Sequence, residues 1–83
     1  MRIKLNTKYR IGQTVWVVDN WTVWKAVIYG ITIVGKDEYI YDLDFSGHYE
    51  YWPEEVIYRT KKEAQAKLEK LIHEDELPIL EIK

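Results

Sequence analysis

Three carboxylates and two histidines are the side chains best suited to chemistry. Asp42, Asp44 and Glu50 fall in EYIYDLDF (38–45) and HYEYW (48–52), two alternating segments that read as neighbouring strands. Carboxylates gathered on one face can do acid–base work or hold a hard cation. The alternation also explains them more simply, as the solvated side of a hairpin, and Pro53 closes the segment before any further oxygen ligands appear. His48 and His73 show no HxH or HxxxH spacing that would make a metal site. His48 reads as a surface residue at a strand start, and His73 as a favourable charge in the last turn of a helix. There is no cysteine, which excludes a thiolate nucleophile, a disulfide or a thiolate metal site. Gly12, Gly30, Gly35 and Gly47 are isolated turn or bulge residues and build no phosphate-cradling loop. The expectation is a non-enzyme with no catalytic residue, metal or cofactor.

The aromatic residues offer more. Trp 4, Tyr 7 and Phe 1 make up 14% of the chain, and each large ring can bury roughly 150–250 Å². A core this small cannot hide them all. The pairs Tyr39/Tyr41 and Tyr49/Tyr51 read as core and cross-strand ladder. Trp16 reads as packing under a helix. Trp21 and Trp24, in VVDNWTVWKAVIYG (17–30), bracket a polar break between two apolar runs, and Trp52 ends the fourth strand. Exposed indoles are costly unless a partner uses them.

The elements that must position these rings follow from periodicity. QTVWVVD (13–19) is a strand, followed by a long aromatic connection and a second strand, KAVIYGITIV (25–34), whose Gly30 marks a bulge or bend. Segments 38–45 and 48–52 are the third and fourth strands, joined through Ser46-Gly47 as a tight hairpin turn. Pro53-Glu54-Glu55 suits one helical turn and Val56-Ile57-Tyr58 a short fifth strand. A helix over about 61–73 starts at a capping box, Thr60 with Glu63, and carries Ala64, Leu68, Leu71 and Ile72 as an apolar stripe. Pro78 should break it, which leaves ILEI (79–82) as a further strand, with RIKL (2–5) as another at the other end.

Composition sets broad bounds. A 47% hydrophobic and 31% charged chain of 83 residues is one small globular domain, 1–83. The start, MRIKLNTKYR, lacks the apolar run of a secretory signal, and no stretch reaches the roughly 20 apolar residues of a membrane span. The expected location is cytoplasmic. The net charge of −2 hides segregation: residues 1–11 carry Arg2, Lys4, Lys8 and Arg10 and no acid, while residues 36–56 set seven acids against Lys36, a net −6. A pI of about 5.6 argues against the basic footprint of a nucleic-acid binder.

The wording "IGQTVWVV" followed by "EEVIYRTKKEAQAKL" resembles small, mostly uncharacterised proteins of bacteria and their phages, in which an SH3-like barrel precedes a helix opening T-x-x-E-A. The resemblance covers about residues 11–72. It implies a mainly β fold, a five-stranded SH3-like barrel over about 11–58 followed by the C-terminal helix. It also implies that Trp21, Trp24 and Trp52 share one surface with Glu54 and Glu55, in the region where SH3 domains hold proline-rich peptides and related barrels cage methylated lysine. The expected function is therefore protein binding through an aromatic surface. The alternatives are a phage-encoded inhibitor of a host protein such as a defence nuclease, in the manner of an anti-CRISPR, and a nucleic-acid-binding SH3-like barrel.

Overall fold

Val15 and Val17 are wholly buried while Thr14 between the turn and the strand is exposed and Trp16 is half-buried. That alternation defines β1 (Thr14–Asp19). It is followed by β2 (Thr22–Gly35), β3 (Glu38–Phe45), β4 (His48–Pro53), a 3-10 turn at Glu54–Val56 and α1 (Lys61–Glu81). The structure is a computed structural model and describes residues 6–81, with side chains described up to residue 73. The expected strand at 2–5 and Ile82 lie outside the described residues.

The four strands form one antiparallel sheet in the order β1-β2-β3-β4. Ser46 and Gly47 both have positive φ, 57° and 97°, which is the backbone of a two-residue hairpin turn whose twist matches its strands. The β1–β2 connection was expected to be long. It is instead a two-residue turn, with Asn20 at φ 52° and Trp21 at φ 59°. The ladder continues through Asp19↔Thr22, Val18↔Val23 and Val17↔Trp24, so Trp24 belongs to β2 and not to a loop. β-Branched Thr22 and Val23 fit a pleated ladder, and cross-strand pairing draws the chain out of the loop that polar Asn20 suggested.

Gly30 does mark a bulge. The register steps from Ile28↔Leu43 to Gly30↔Asp42, leaving Tyr29 as the extra residue. A Cβ added at Gly30 would collide with the carboxylate of Asp42, so glycine there makes room for the neighbouring acid.

The core is Tyr9, Val15, Val17, Ala26, Ile28, Tyr39, Tyr41, Leu43 and Ile57. It occupies the inner face of the sheet. The registers Leu43↔Glu50 and Tyr41↔Trp52 place Glu50 and Trp52 on that same face. Tyr49 and Tyr51 therefore point outward, 59% and 71% exposed, and they are not core. Tyr49 stacks edge-on with Tyr29, ring centroids 5.0 Å apart. Asp42 and Asp44 lie on the outer face opposite Tyr51 and Tyr49, so the three acids are split between the two sides. One Asp42 oxygen, Oδ1, is buried without a hydrogen-bond partner, which is more enclosed than the solvated position expected for it.

The sheet stays open. Where a fifth strand was expected, Tyr58 makes one antiparallel bridge to Trp16, through Trp16 N–H to Tyr58 O at 2.9 Å and the reverse bond at 2.8 Å. The N-terminal segment covers the remaining opening. Tyr9 packs edge-on against Tyr41 at 5.5 Å, and its hydroxyl donates to the Ile57 carbonyl at 2.8 Å. Asn6 N–H donates to the Tyr39 hydroxyl at 2.9 Å. Tyr9, buried in the core, plugs this end.

Helix α1 packs on β1 and β2. The Thr60 hydroxyl accepts from Glu63 N–H at 3.1 Å, as the capping box requires, while the Glu63 carboxylate reaches back to Arg59 N–H at 3.2 Å, one residue beyond the cap. Ala64 is wholly buried, Leu68 and Leu71 are half-buried, and Ile72 is 38% exposed. The helix runs through Pro78 to Glu81, so residues 79–81 are not a strand. A proline removes one helical hydrogen bond and crowds the preceding turn, which weakens a helix without obliging an extended chain after it. No described helix is long and apolar enough to cross a membrane.

Candidate partner-binding cleft

A cleft of about 440 Å³ opens between the ends of the β1–β2 and β3–β4 hairpins, with Val17, Trp24, Phe45 and Trp52 among its apolar lining. Register explains who is there. Trp24 sits opposite Val17, so it follows that buried valine onto the inner face, but near the hairpin end where the core runs out. It remains 45% exposed. Trp52, opposite Tyr41, packs against the core.

Both indole N–H groups are satisfied within the chain. Trp24 donates to the Asp19 carbonyl at 3.0 Å, and Trp52 donates to Glu50 Oε1 at 2.8 Å. The other Glu50 oxygen is 2.7 Å from His48 Nε2. The hydrogen bonds from Trp52 and then His48 hold the Glu50 carboxyl below the usual carboxylate range, since both favour its charged form. The cleft thus offers apolar ring surface beside an ionised carboxylate, with Asp19, Lys25, Ser46 and His48 completing its rim. Such a hollow, mostly apolar with a few convergent polar groups, is the usual form of a binding site.

The five residues expected to share a surface fall in three places. Trp24 and Trp52 meet in the cleft. Trp21 stands at the tip of the β1–β2 turn, 54% exposed and outside the cleft lining. Glu54 serves the fold: it accepts from Lys8 N–H at 3.0 Å and from the Tyr41 hydroxyl at 2.5 Å. Glu55 is exposed and joins Glu54, Lys8 and Tyr39 around a second depression of about 370 Å³. The division arises at Pro53, where the chain leaves β4 and carries Glu54 back toward Tyr41.

Trp21 is an unusual choice for its position. The left-handed region costs an L-residue about 1–2 kcal/mol, and two-residue turns of this type favour Asn-Gly. Asn20 obeys that preference and Trp21 does not.

Phe45, His48 and Glu50 were not expected in the site. The signal for them was present: a two-residue turn at Ser46-Gly47 sets His48 opposite Phe45, so Glu50 and Trp52 must follow Leu43 and Tyr41 inward. No protein-family model, curated protein or solved structure matches the chain.

Proposed function

We propose that the chain is a non-enzymatic binding module in which the Trp24–Trp52 cleft receives a side chain of a protein partner. One observation carries this. Both indoles spend their N–H groups inside the chain, so what they present to the cleft is ring surface, useful for packing and not for hydrogen bonding. Interface hot spots are enriched in tryptophan that packs in this way. Trp21, strained and exposed at the neighbouring turn, is a second contact from the same hairpin.

We further read the open sheet as an SH3-like barrel reduced at its fifth strand. The strand order, the 3-10 turn after β4 and the Tyr58 bridge to β1 support that reading; the short β1–β2 turn departs from it. The resemblance to phage proteins makes a host nuclease the first partner to try.

The test is affinity capture from a lysate of the host cell, followed by calorimetry of the purified pair with Trp24→Ala. Truncating a hot-spot tryptophan costs about 2 kcal/mol or more, roughly thirtyfold in Kd. Circular dichroism must show the variant folded. Unchanged affinity for Trp24→Ala and for Trp52→Phe would remove the cleft from the interface.

A further inference from the structure

The geometry points to β4 as a strand-addition site, at which an extended, basic segment of the partner pairs along the free edge from Tyr49 to Pro53. This rests on the reading of the chain as a binding module and specifies how the partner lies.

β4 ends the sheet order. Among the described residues no other element bridges to it, whereas β1, at the opposite edge, is partly covered by Tyr58. Hydrogen bonding alternates along an antiparallel pair. The two-residue turn makes Phe45↔His48 a bonded pair, so Leu43↔Glu50 and Tyr41↔Trp52 are bonded too. The N–H and C=O groups of Tyr49 and Tyr51 consequently point away from β3, toward open solvent. Pro53 agrees with this count. It falls on the outward-facing set, where a missing donor takes nothing from the β3 ladder.

Natural edges are blunted with lysine, bulges or proline. β4 has no lysine and no bulge, its proline stands at its far end, and its one inward-facing charge, Glu50, is already bonded to Trp52 and His48. Five or six residues of extended chain would find four unpaired backbone groups here. Alternate side chains would then fall on opposite faces. A residue opposite Glu50 would point to the inner face, beside Trp52 and the cleft. Its neighbours would point to the outer face, beside Tyr49, Tyr51, Asp42 and Asp44.

Charge selects the occupant. Both faces flanking the edge carry acid, and residues 36–56 total −6. A second copy of this chain is disfavoured, because pairing Tyr49 with the partner's Tyr51 would oppose Glu50 to Glu50, and like charges directly opposite destabilise a sheet. A segment with lysine or arginine on both faces suits the edge.

The experiment uses the full chain, labelled with nitrogen-15, and three acetylated, amidated peptides about seven residues long, near the modal strand length. The first sets lysines in adjacent pairs between valines, so that lysine falls on both faces of the extended chain. The second has glutamate for lysine. The third is the lysine peptide N-methylated at consecutive residues, so that neither of its edges can donate to β4. Strand addition requires the lysine peptide to slow amide exchange at Tyr49 and Tyr51 by roughly tenfold or more, with the N-methylated and glutamate peptides ineffective. Tyr51→Pro should abolish the protection while leaving β3 pairing and Tm near wild type. If that variant fails to fold, the N-methylated peptide makes the same test from the ligand side. Shifts of the Trp24 and Trp52 indole signals without amide protection would overturn strand addition and leave the cleft reading standing. Protection without indole shifts would do the reverse. Protection that rises with protein concentration and no peptide, with a dimer in sedimentation, would overturn the basic partner in favour of a second copy. No effect of any peptide at millimolar concentration would overturn the proposal.

Discussion

Tyr41→Phe should be among the most destabilising conservative changes in this chain. Tyr41 is wholly buried at the centre of the core. Its hydroxyl donates to the Glu54 carboxylate and accepts from Tyr9 N–H at 3.4 Å. That one oxygen ties β3 to the 3-10 turn and to the N-terminal segment. A hydrogen bond to a charged group contributes about 1.5–3 kcal/mol net. The Tyr9 bond is long, so its loss adds little. The expected destabilisation is about 2 kcal/mol, read from urea melts. For a domain of this size it lowers Tm by about 8–16 °C. A double-mutant cycle with Glu54→Gln should give a coupling of about 1 kcal/mol or more, as groups in one network do. Alkaline pH tests the same contact. Burial, and then the bond to Glu54, raise the Tyr41 phenol above its ordinary value, and burial likewise raises Tyr9 and Tyr58. The folded chain therefore keeps protons that the unfolded chain releases above about pH 10. Stability is fully present below that pH and falls as pH rises, by up to about 1.4 kcal/mol per pH unit for each such tyrosine. Tyr41→Phe should make this slope shallower. A loss below about 0.5 kcal/mol at neutral pH, with an unchanged alkaline slope, would refute the reasoning.

Gly30→Ala should cost about 1–3 kcal/mol by overpacking, and adding Asp42→Ala should recover most of it; strictly additive urea midpoints would show that the Asp42 carboxylate is not the obstacle. Thr60→Ala should lose about 1 kcal/mol with the helix cap, measured in the same melts. Leu68→Ala, at a half-buried site, should fall below the roughly 2–5 kcal/mol of a buried leucine, and a harmless result would mean that this face of the helix does not dock. Trp24→Ala should cost the fold about 1–2 kcal/mol for the ring surface that it covers, measured in urea melts separately from the loss of binding followed by calorimetry.

Period-two alternation and turn chemistry were enough to read β3 at its observed limits, the Ser46-Gly47 turn, the Gly30 bulge and the Thr60 cap, because each depends on residues close in sequence. The fate of β4 was half legible. Alternation separates Tyr49 and Tyr51 from Glu50 and Trp52, but has no sign, and the face that turns inward is chosen by pairing with Leu43 and Tyr41. The Asn20–Trp21 turn went against local preference. A bulky residue in the left-handed region is disfavoured by itself, and the ladder from Asp19↔Thr22 to Val17↔Trp24 outweighs that cost. Tyr9 as the plug of the open sheet was invisible for a related reason: its partners, Tyr41 and Ile57, lie far along the chain. The cleft has the same origin. Val17, Trp24, Phe45 and Trp52 come from four strands, and composition could say that surplus indoles need a use, while only the folding of two hairpins against one core decided which of them face each other.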